Sequence, residues 1–353
     1  KRHLLLDIVA LSVCAVIAGA EGWEDIEEFG KQKRDWLKTF LQLPAGIPSH
    51  DTINRVFRRL KPDQFQRCFA SWITSLHETL GLKQIAIDGK TLRRSFDRAS
   101  AKNALHLVSA WSVENQLSLG QVAVDEKSNE ITAIPELLQL LELHGAIVTL
   151  DAMGCQKEIA QQIVDGGGDY VLAVKDNHPK LHAALADHFL QLHENDFADS
   201  DCRHHTTRSK DHGRQETRDY YITSVPESLK AIQDDWAAIQ SVGQAITITR
   251  RDGKETSEVR FYISSLAPRV KRFANAVRGH WGIENSLHWV LDVTFDEDRS
   301  RIRKDHGPEN FALLRRLATS LIKQDTSPGS VRKKRKRAAW NNQALLNILT
   351  ARR

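Results

Sequence analysis

The sequence predicts an α/β protein of several domains, with a strand-and-helix core preceded by a helical region. Three observations carry this expectation. Short apolar runs of strand length, such as Ile85-Ala86-Ile87 and Ile147-Val148-Thr149-Leu150, alternate with helix-length segments in the middle of the chain. Residues 1–80 show apolar positions at helical spacing instead. The chain has 353 residues, 41% hydrophobic and 27% charged, which suits two or three folded domains and excludes a disordered chain.

The first segment, Leu4 to Ala20, follows Lys1-Arg2-His3 and imitates a secretory signal. Asp7 interrupts it and it is short for a membrane span, so a buried core helix is expected. The chain starts at Lys rather than Met, and further residues are expected before it. Trp23 to Leu43 reads as helical up to the breaker Leu43-Pro44-Ala45-Gly46-Ile47-Pro48. Ser49 then offers an N-cap to a helix ending near Leu60. Ile53, Val56, Phe57 and Leu60 form its apolar face, with Asn54, Arg55, Arg58 and Arg59 opposite. Both a helix–turn–helix that lays this helix on DNA and an ordinary basic surface helix fit that pattern.

From residue 84 the pattern becomes strand (84–88), strand (105–112), strand (117–124), helix (134–143, Pro135 in its first turn), strand (146–150), helix (156–164) and strand (170–174). A hairpin is expected at Glu114-Asn115-Gln116, and Gly166-Gly167-Gly168 closes the second helix. The order βββαβαβ is that of the ribonuclease-H-like fold. Residues 181–265 read as a mostly β insertion domain, with a hairpin turn at Arg251-Asp252-Gly253-Lys254. The core resumes over 266–325, and 326–353 form a basic tail carrying Arg332 to Arg337 and a short final helix. The expected domains are therefore 1–80, 81–180, 181–265, 266–325 and 326–353.

In such a fold the first and fourth strands lie side by side and parallel, so Asp88 and Asp151 meet at their carboxyl ends. Ligand sites in open α/β sheets gather at that edge. Glu284, on a downstream amphipathic stretch, supplies a third carboxylate. Three convergent carboxylates suit a pair of Mg2+ ions, with Mn2+ as a substitute, for in-line attack on a phosphodiester. Against this, an aspartate after a strand is often only a turn former or cap. Asp292, Asp296 and Asp298 compete with Glu284 for the third position. His280, Glu284 and His288 at i, i+4 and i+8 imitate a zinc site, but no H-E-x-x-H occurs, and phosphate or base contact is the preferred role.

Other candidates for DNA contact are Lys90, Arg93 and Arg94 after the first strand, Lys175 and Asn177 after the fifth, and Arg214 in the insertion. Trp281, Asn285 and His288 flank Glu284; an aromatic there packs in a core or stacks an unpaired base. The net charge of +5 and isoelectric point near 9.0 lean towards a polyanionic partner. Four scattered cysteines without a C-x-x-C pair argue against a disulfide framework or a cysteine-based zinc site, and suit a reducing cytoplasm.

Five ordered blocks resemble the H-repeat-associated transposases of bacterial insertion sequences, a branch of the DDE transposases. They are Asp88-Gly89-Lys90-Thr91-Leu92-Arg93, Asp125-Glu126-Lys127-Ser128-Asn129-Glu130-Ile131, Asp151-Ala152-Met153-Gly154-Cys155-Gln156-Lys157, Ala173-Val174-Lys175-Asp176-Asn177, and His280-Trp281-Gly282-Ile283-Glu284-Asn285 with His288-Trp289 and Leu291-Asp292-Val293. The resemblance covers essentially the whole chain. It implies a ribonuclease-H-like core, Mg2+ dependence, Asp88, Asp151 and Glu284 as the catalytic triad, cleavage and joining of DNA at transposon ends, a homodimer at synapsis, and work at the bacterial nucleoid with no membrane. Related hairpin-forming transposases carry Tyr, Arg, Glu and Lys around the last acid; here Val277, His280, Glu284 and Leu291 stand there, so a DNA hairpin is not implied. The rival readings are a metal-dependent nuclease without strand transfer and an inactive DNA-binding relic.

Overall fold

The computed structural model describes residues 2–81, 83–97, 103–124, 129–211 and 213–350. Residues 125–128 of the block Asp125 to Ile131 lie outside these. In chain order the elements are α1 (Leu5–Ala18), α2 (Trp23–Gln32), α3 (Arg34–Leu37), α4 (His50–Arg59), α5 (Pro62–Leu80), β1 (Gln84–Thr91), β2 (His106–Ser112), β3 (Leu117–Ala123), α6 (Glu130–Leu138), β4 (Ile147–Leu150), α7 (Lys157–Asp165) and β5 (Asp169–Val174). They continue with α8 (Pro179–Glu194), β6 (Arg203–Asp211), β7 (Arg214–Ser224), β8 (Ser241–Arg251), β9 (Lys254–Ser264), α9 (Val270–Ile283), α10 (Trp289–Thr294), α11 (Gly307–Gln324), α12 (Val331–Trp340) and α13 (Asn342–Thr350). This is a mixed α/β protein with a large sheet. Its contacts divide it into two compact units, the first holding 1–81, 89–129 and 283–353, the second 82–88 and 130–282.

In the first unit, α1 is a core helix: Leu11, Ala15, Val16 and Ile17 are fully buried, and it packs on α11. Among the described residues no single helix is long and apolar enough to cross a membrane. Asp7 interrupts the apolar run because its carboxylate accepts from the backbone N–H of Gln42 (3.3 Å) and Leu43 (2.8 Å), pinning the breaker loop. Trp23 stacks on Phe57 and meets Phe311 edge-on, joining α2, α4 and α11. Ser49 caps α4 through the Thr52 N–H, and the Asn310 side chain donates to the carbonyls of Phe57 and Leu60 at its other end.

The expected basic tail is a correction. Arg332 to Arg337 lie in α12, which packs against α1, with Lys334 and Arg335 buried. The Arg335 guanidinium donates to the carbonyls of Val16 (3.0 Å) and Thr294 and lies 4.0 Å over the Phe295 ring. Long cationic side chains can bury their stems while their terminal NH2 groups find acceptors, which a charge count along the sequence does not reveal.

In the second unit the strand order is β1-β4-β5-β9-β8-β7-β6. β1, β4 and β5 are parallel, and β9 pairs antiparallel with β5, so the segment expected as an insertion extends the same sheet. Asp252 and Gly253, both with positive φ, make the two-residue turn between β8 and β9. α9 covers this sheet with Phe273, Ala274, Ala276 and Val277 against Tyr220, Ile222 and Tyr262. Gly243 is required there, because a Cβ would stand 2.4 Å from the Phe273 ring. Two further expectations are corrected. Pro135 falls inside α6, which already begins at Glu130, and β1 runs on to Thr91 rather than ending at Asp88.

Arg316 and Glu297, both fully buried in the first unit, form an ion pair at 3.2 Å. Arg316→Met leaves the buried Glu297 without its ion-pair partner and is expected to cost about 3–5 kcal/mol, read by urea denaturation. Glu297→Met combined with Arg316→Met should recover most of that loss; a double variant as unstable as the single one contradicts this assignment.

Candidate active site

The pairing of β1 with β4 sets the site in the second unit. Gln84, Ile85, Ala86 and Ile87 stand opposite Ile147, Val148, Thr149 and Leu150 in parallel register. Asp88 is the next residue of β1, and Asp151 directly follows the last residue of β4. In-register parallel neighbours present their side chains to the same face, on strands about 4.8 Å apart. Both are partly exposed, while the residues before them are buried.

The Asp151 carboxylate is held from its own loop. Its Oδ1 accepts from the N–H of Met153 (3.0 Å) and of Gly154 (3.3 Å), an Asx-type turn. Gly154 permits the tight return, since a Cβ there would lie 2.8 Å from a Leu150 methyl. Asn177 donates to the Ala152 carbonyl (2.6 Å), and the His178 ring bonds the Cys155 carbonyl (2.6 Å). Asn177, expected to contact DNA, is thus seen tying down the loop that carries Asp151. Burial, and then the Asp151 charge, push the Cys155 thiol up to about 12, so it stays protonated and is no nucleophile.

Beneath the aspartates lies a polar network that the sequence did not announce. Gln84, buried in β1, donates to the Ala276 carbonyl on α9 (2.7 Å) and to the Thr149 hydroxyl (3.4 Å). Gly279 makes room for it: a Cβ would stand 2.2 Å from the Gln84 amide oxygen. His280 bonds Thr149 through Nδ1 (3.1 Å) and lines a cavity of about 40 Å3 with Asp151, Lys175 and Arg260. The Arg260 guanidinium lies 4.3 Å over the Trp281 ring. Burial, and then the Arg260 charge, push the His280 imidazole down to about 4. Any phosphate or base contact by His280 at neutral pH would therefore be made by a neutral ring.

In the first unit, Lys90 is nearly buried and pairs with Asp292 (2.7 Å) and Asp298 (3.2 Å), and Arg93 also reaches Asp298 (3.2 Å). Burial raises the Asp292 pKa, and the bond from Lys90 opposes that rise. Glu284 is exposed and opens a π-helical turn, Glu284–His288, between α9 and α10. That turn breaks the α-helical stripe on which the zinc reading rested, and no group of three possible metal ligands occurs among the described residues. Exposed Asn285 and partly buried His288 belong to the same turn. Arg55 and Arg59 are exposed on α4, but Arg58 pairs with Asp305 (2.7 Å). Lys175 and Arg94 are exposed, and Arg214 pairs with Glu216.

The matching family confirms the class. Residues 80–321 match the transposase DDE domain, and residues 1–73 match the region described as DDE_Tnp_1-associated. The chain belongs to the DDE transposase family. Within it, the H-repeat-associated resemblance holds over nearly the whole length. The chain is 41% identical to the "H repeat-associated putative transposase YhhI" of Escherichia coli (strain K12), covering 99% of this chain and 93% of that protein. It is 42% identical to the "Putative transposase YncI" of Escherichia coli O157:H7, covering 99% and 90%.

Because the folded pKa of His280 lies below its ordinary value, the unfolded chain binds this proton more readily. Its contribution to stability is complete above about pH 6.5 and is lost as the pH falls towards 4. Urea midpoints should decline over that window, and His280→Gln should flatten the decline. A ring that titrates near 6.5 by NMR in the folded protein would contradict the neutral assignment.

Proposed function

We propose that this chain cleaves and joins double-stranded DNA at the ends of a bacterial insertion sequence, with Asp88, Asp151 and Glu284 as its acidic triad on a ribonuclease-H-like core. The observation that supports the reading is the in-register β1–β4 pair, with Asp88 and Asp151 each directly following its last paired residue, in a chain of the DDE transposase family. A donor set of carboxylate oxygens, with Asp151 already oriented by two backbone N–H groups, fits Mg2+ or Mn2+. When bound there, the ions would activate the attacking oxygen and stabilise the leaving one. Asn177 and His178 hold the Asp151 loop still; Lys175 offers charge to a phosphate; Arg260, paired with Glu258 (2.8 Å), lines the same cavity; neutral His280 keeps its place through Thr149. Asp292 is assigned to Lys90 rather than to the reaction. Synapsis of two DNA ends calls for a homodimer on DNA, and work at the nucleoid places the protein in the bacterial cytoplasm.

Asp88→Asn, Asp151→Asn and Glu284→Gln should each abolish Mg2+-dependent nicking and strand transfer on labelled ends while leaving DNA binding largely intact. Asn177→Ala, one step removed, should cost about 10–100-fold. Nicking without joining by the wild-type protein would favour the plain nuclease. An inactive Asp292→Asn beside an active Glu284→Gln would move the third acid downstream.

If α4 lies on DNA, Arg55→Ala with Arg59→Ala should lower the salt slope of end binding by about one unit for each phosphate the helix no longer neutralises. An unchanged slope would leave α4 as an ordinary surface helix.

A further inference from the structure

The first unit carries a cationic cavity in which only Arg94 has been given a role above, as a candidate DNA contact. Arg94 and Phe96 follow β1, and Arg301 and Arg303 lie just before α11. These four side chains line a cavity of about 320 Å3, with no acidic residue on its wall among the described residues. The acids next to them in sequence are engaged elsewhere: Asp97 with Lys304 (3.0 Å), Asp298 with Lys90 and Arg93. Among the described residues, Arg94, Arg301 and Arg303 have no carboxylate partner. Three neighbouring guanidiniums repel one another, so an anion among them relieves a standing cost.

One of the three is fixed in place. The Arg303 Nε–H donates to the Arg94 carbonyl (3.0 Å), and its guanidinium lies 4.7 Å over the Phe96 ring. These contacts orient the plane without using its terminal NH2 groups, the pair that grips a phosphate in two-pronged fashion. Arg94 and Arg301 are exposed, so the cavity opens to the surface and admits a polymer backbone. Among the described residues its wall has no amide or carboxylate side chain to read base edges, and what it recognises is charge.

We propose that Arg94, Arg301 and Arg303 form a phosphodiester-binding site that grips the DNA backbone without regard to sequence. The proposal rests on the DNA-processing function above. It deepens that function by giving the chain a sequence-independent anchor besides any contact that recognises the element's ends.

The test uses the full chain in fluorescence anisotropy, with a labelled duplex bearing the element's end and an unrelated duplex of equal length, across a potassium chloride series. Arg301→Ala with Arg303→Ala should lower the salt slope by about one to two units, equally on both duplexes. Arg303→Lys retains the charge and should keep most of the slope while losing the two-pronged grip. The single variant Arg301→Ala, at an exposed position, should fold normally and lower the slope by about one unit, which guards against a folding defect in the double variant. Unchanged slopes in Arg301→Ala and in the double variant overturn the site, and so does a loss confined to end DNA. If the wild-type protein binds neither duplex, the DNA-processing function itself falls; if it binds both and the variants match it, only this site does.

Discussion

Four residues of β1 lie in parallel register against four of β4, and the candidate chemistry depends on that short ladder. A slip of one residue would turn every side chain of the moving strand to the other face, separating Asp88 from Asp151. A ladder so short needs outside support. Gln84 supplies it at the start, bonded to α9 and to Thr149, and the close helix approach that Gly279 allows makes the bond possible. Asn177 and His178 supply it at the end by fixing the loop beyond Asp151. His280 sits in the same network and stays neutral because the network is buried and faces Arg260.

The distribution of charge follows a second rule: cations with internal partners build the fold, and those without partners are open to an anion. Arg316 and Glu297 neutralise each other out of solvent; Arg335 commits its donors to backbone carbonyls; Lys90 bridges Asp292 and Asp298. The net charge of +5 therefore says little about the surface facing a polyanion. Arg55, Arg59, Lys175, Arg94 and Arg301 are the exposed cations to which the DNA-contact proposals attach.

Much of the local structure was legible because it depends on neighbours in the chain. The Ser49 cap, the β2–β3 hairpin, the Asp252-Gly253 turn and the strands flanking the two aspartates all follow from local pattern. What escaped depends on partners far away in sequence. The basic run at 332–337 looks solvated until the carbonyls of Val16 and Thr294 are placed beside Arg335. Lys90 looks free until Asp292 and Asp298 arrive some two hundred residues later. The π turn at Glu284–His288 has no signature in residue type, so a spacing of four residues there misleads about which side chains share a face. Arg301 and Arg303 carry no signal in the sequence because Phe96 and Arg94, their neighbours in space, lie on a different segment.

The most direct test of the central claim is the anomalous diffraction of Mn2+ in crystals of the protein bound to its end DNA. The account predicts a manganese peak coordinated by carboxylate oxygens of both Asp88 and Asp151, abolished in Asp151→Asn. A cleavage-competent complex with manganese held by Asp292 and Asp298, and none at Asp88 or Asp151, would contradict it.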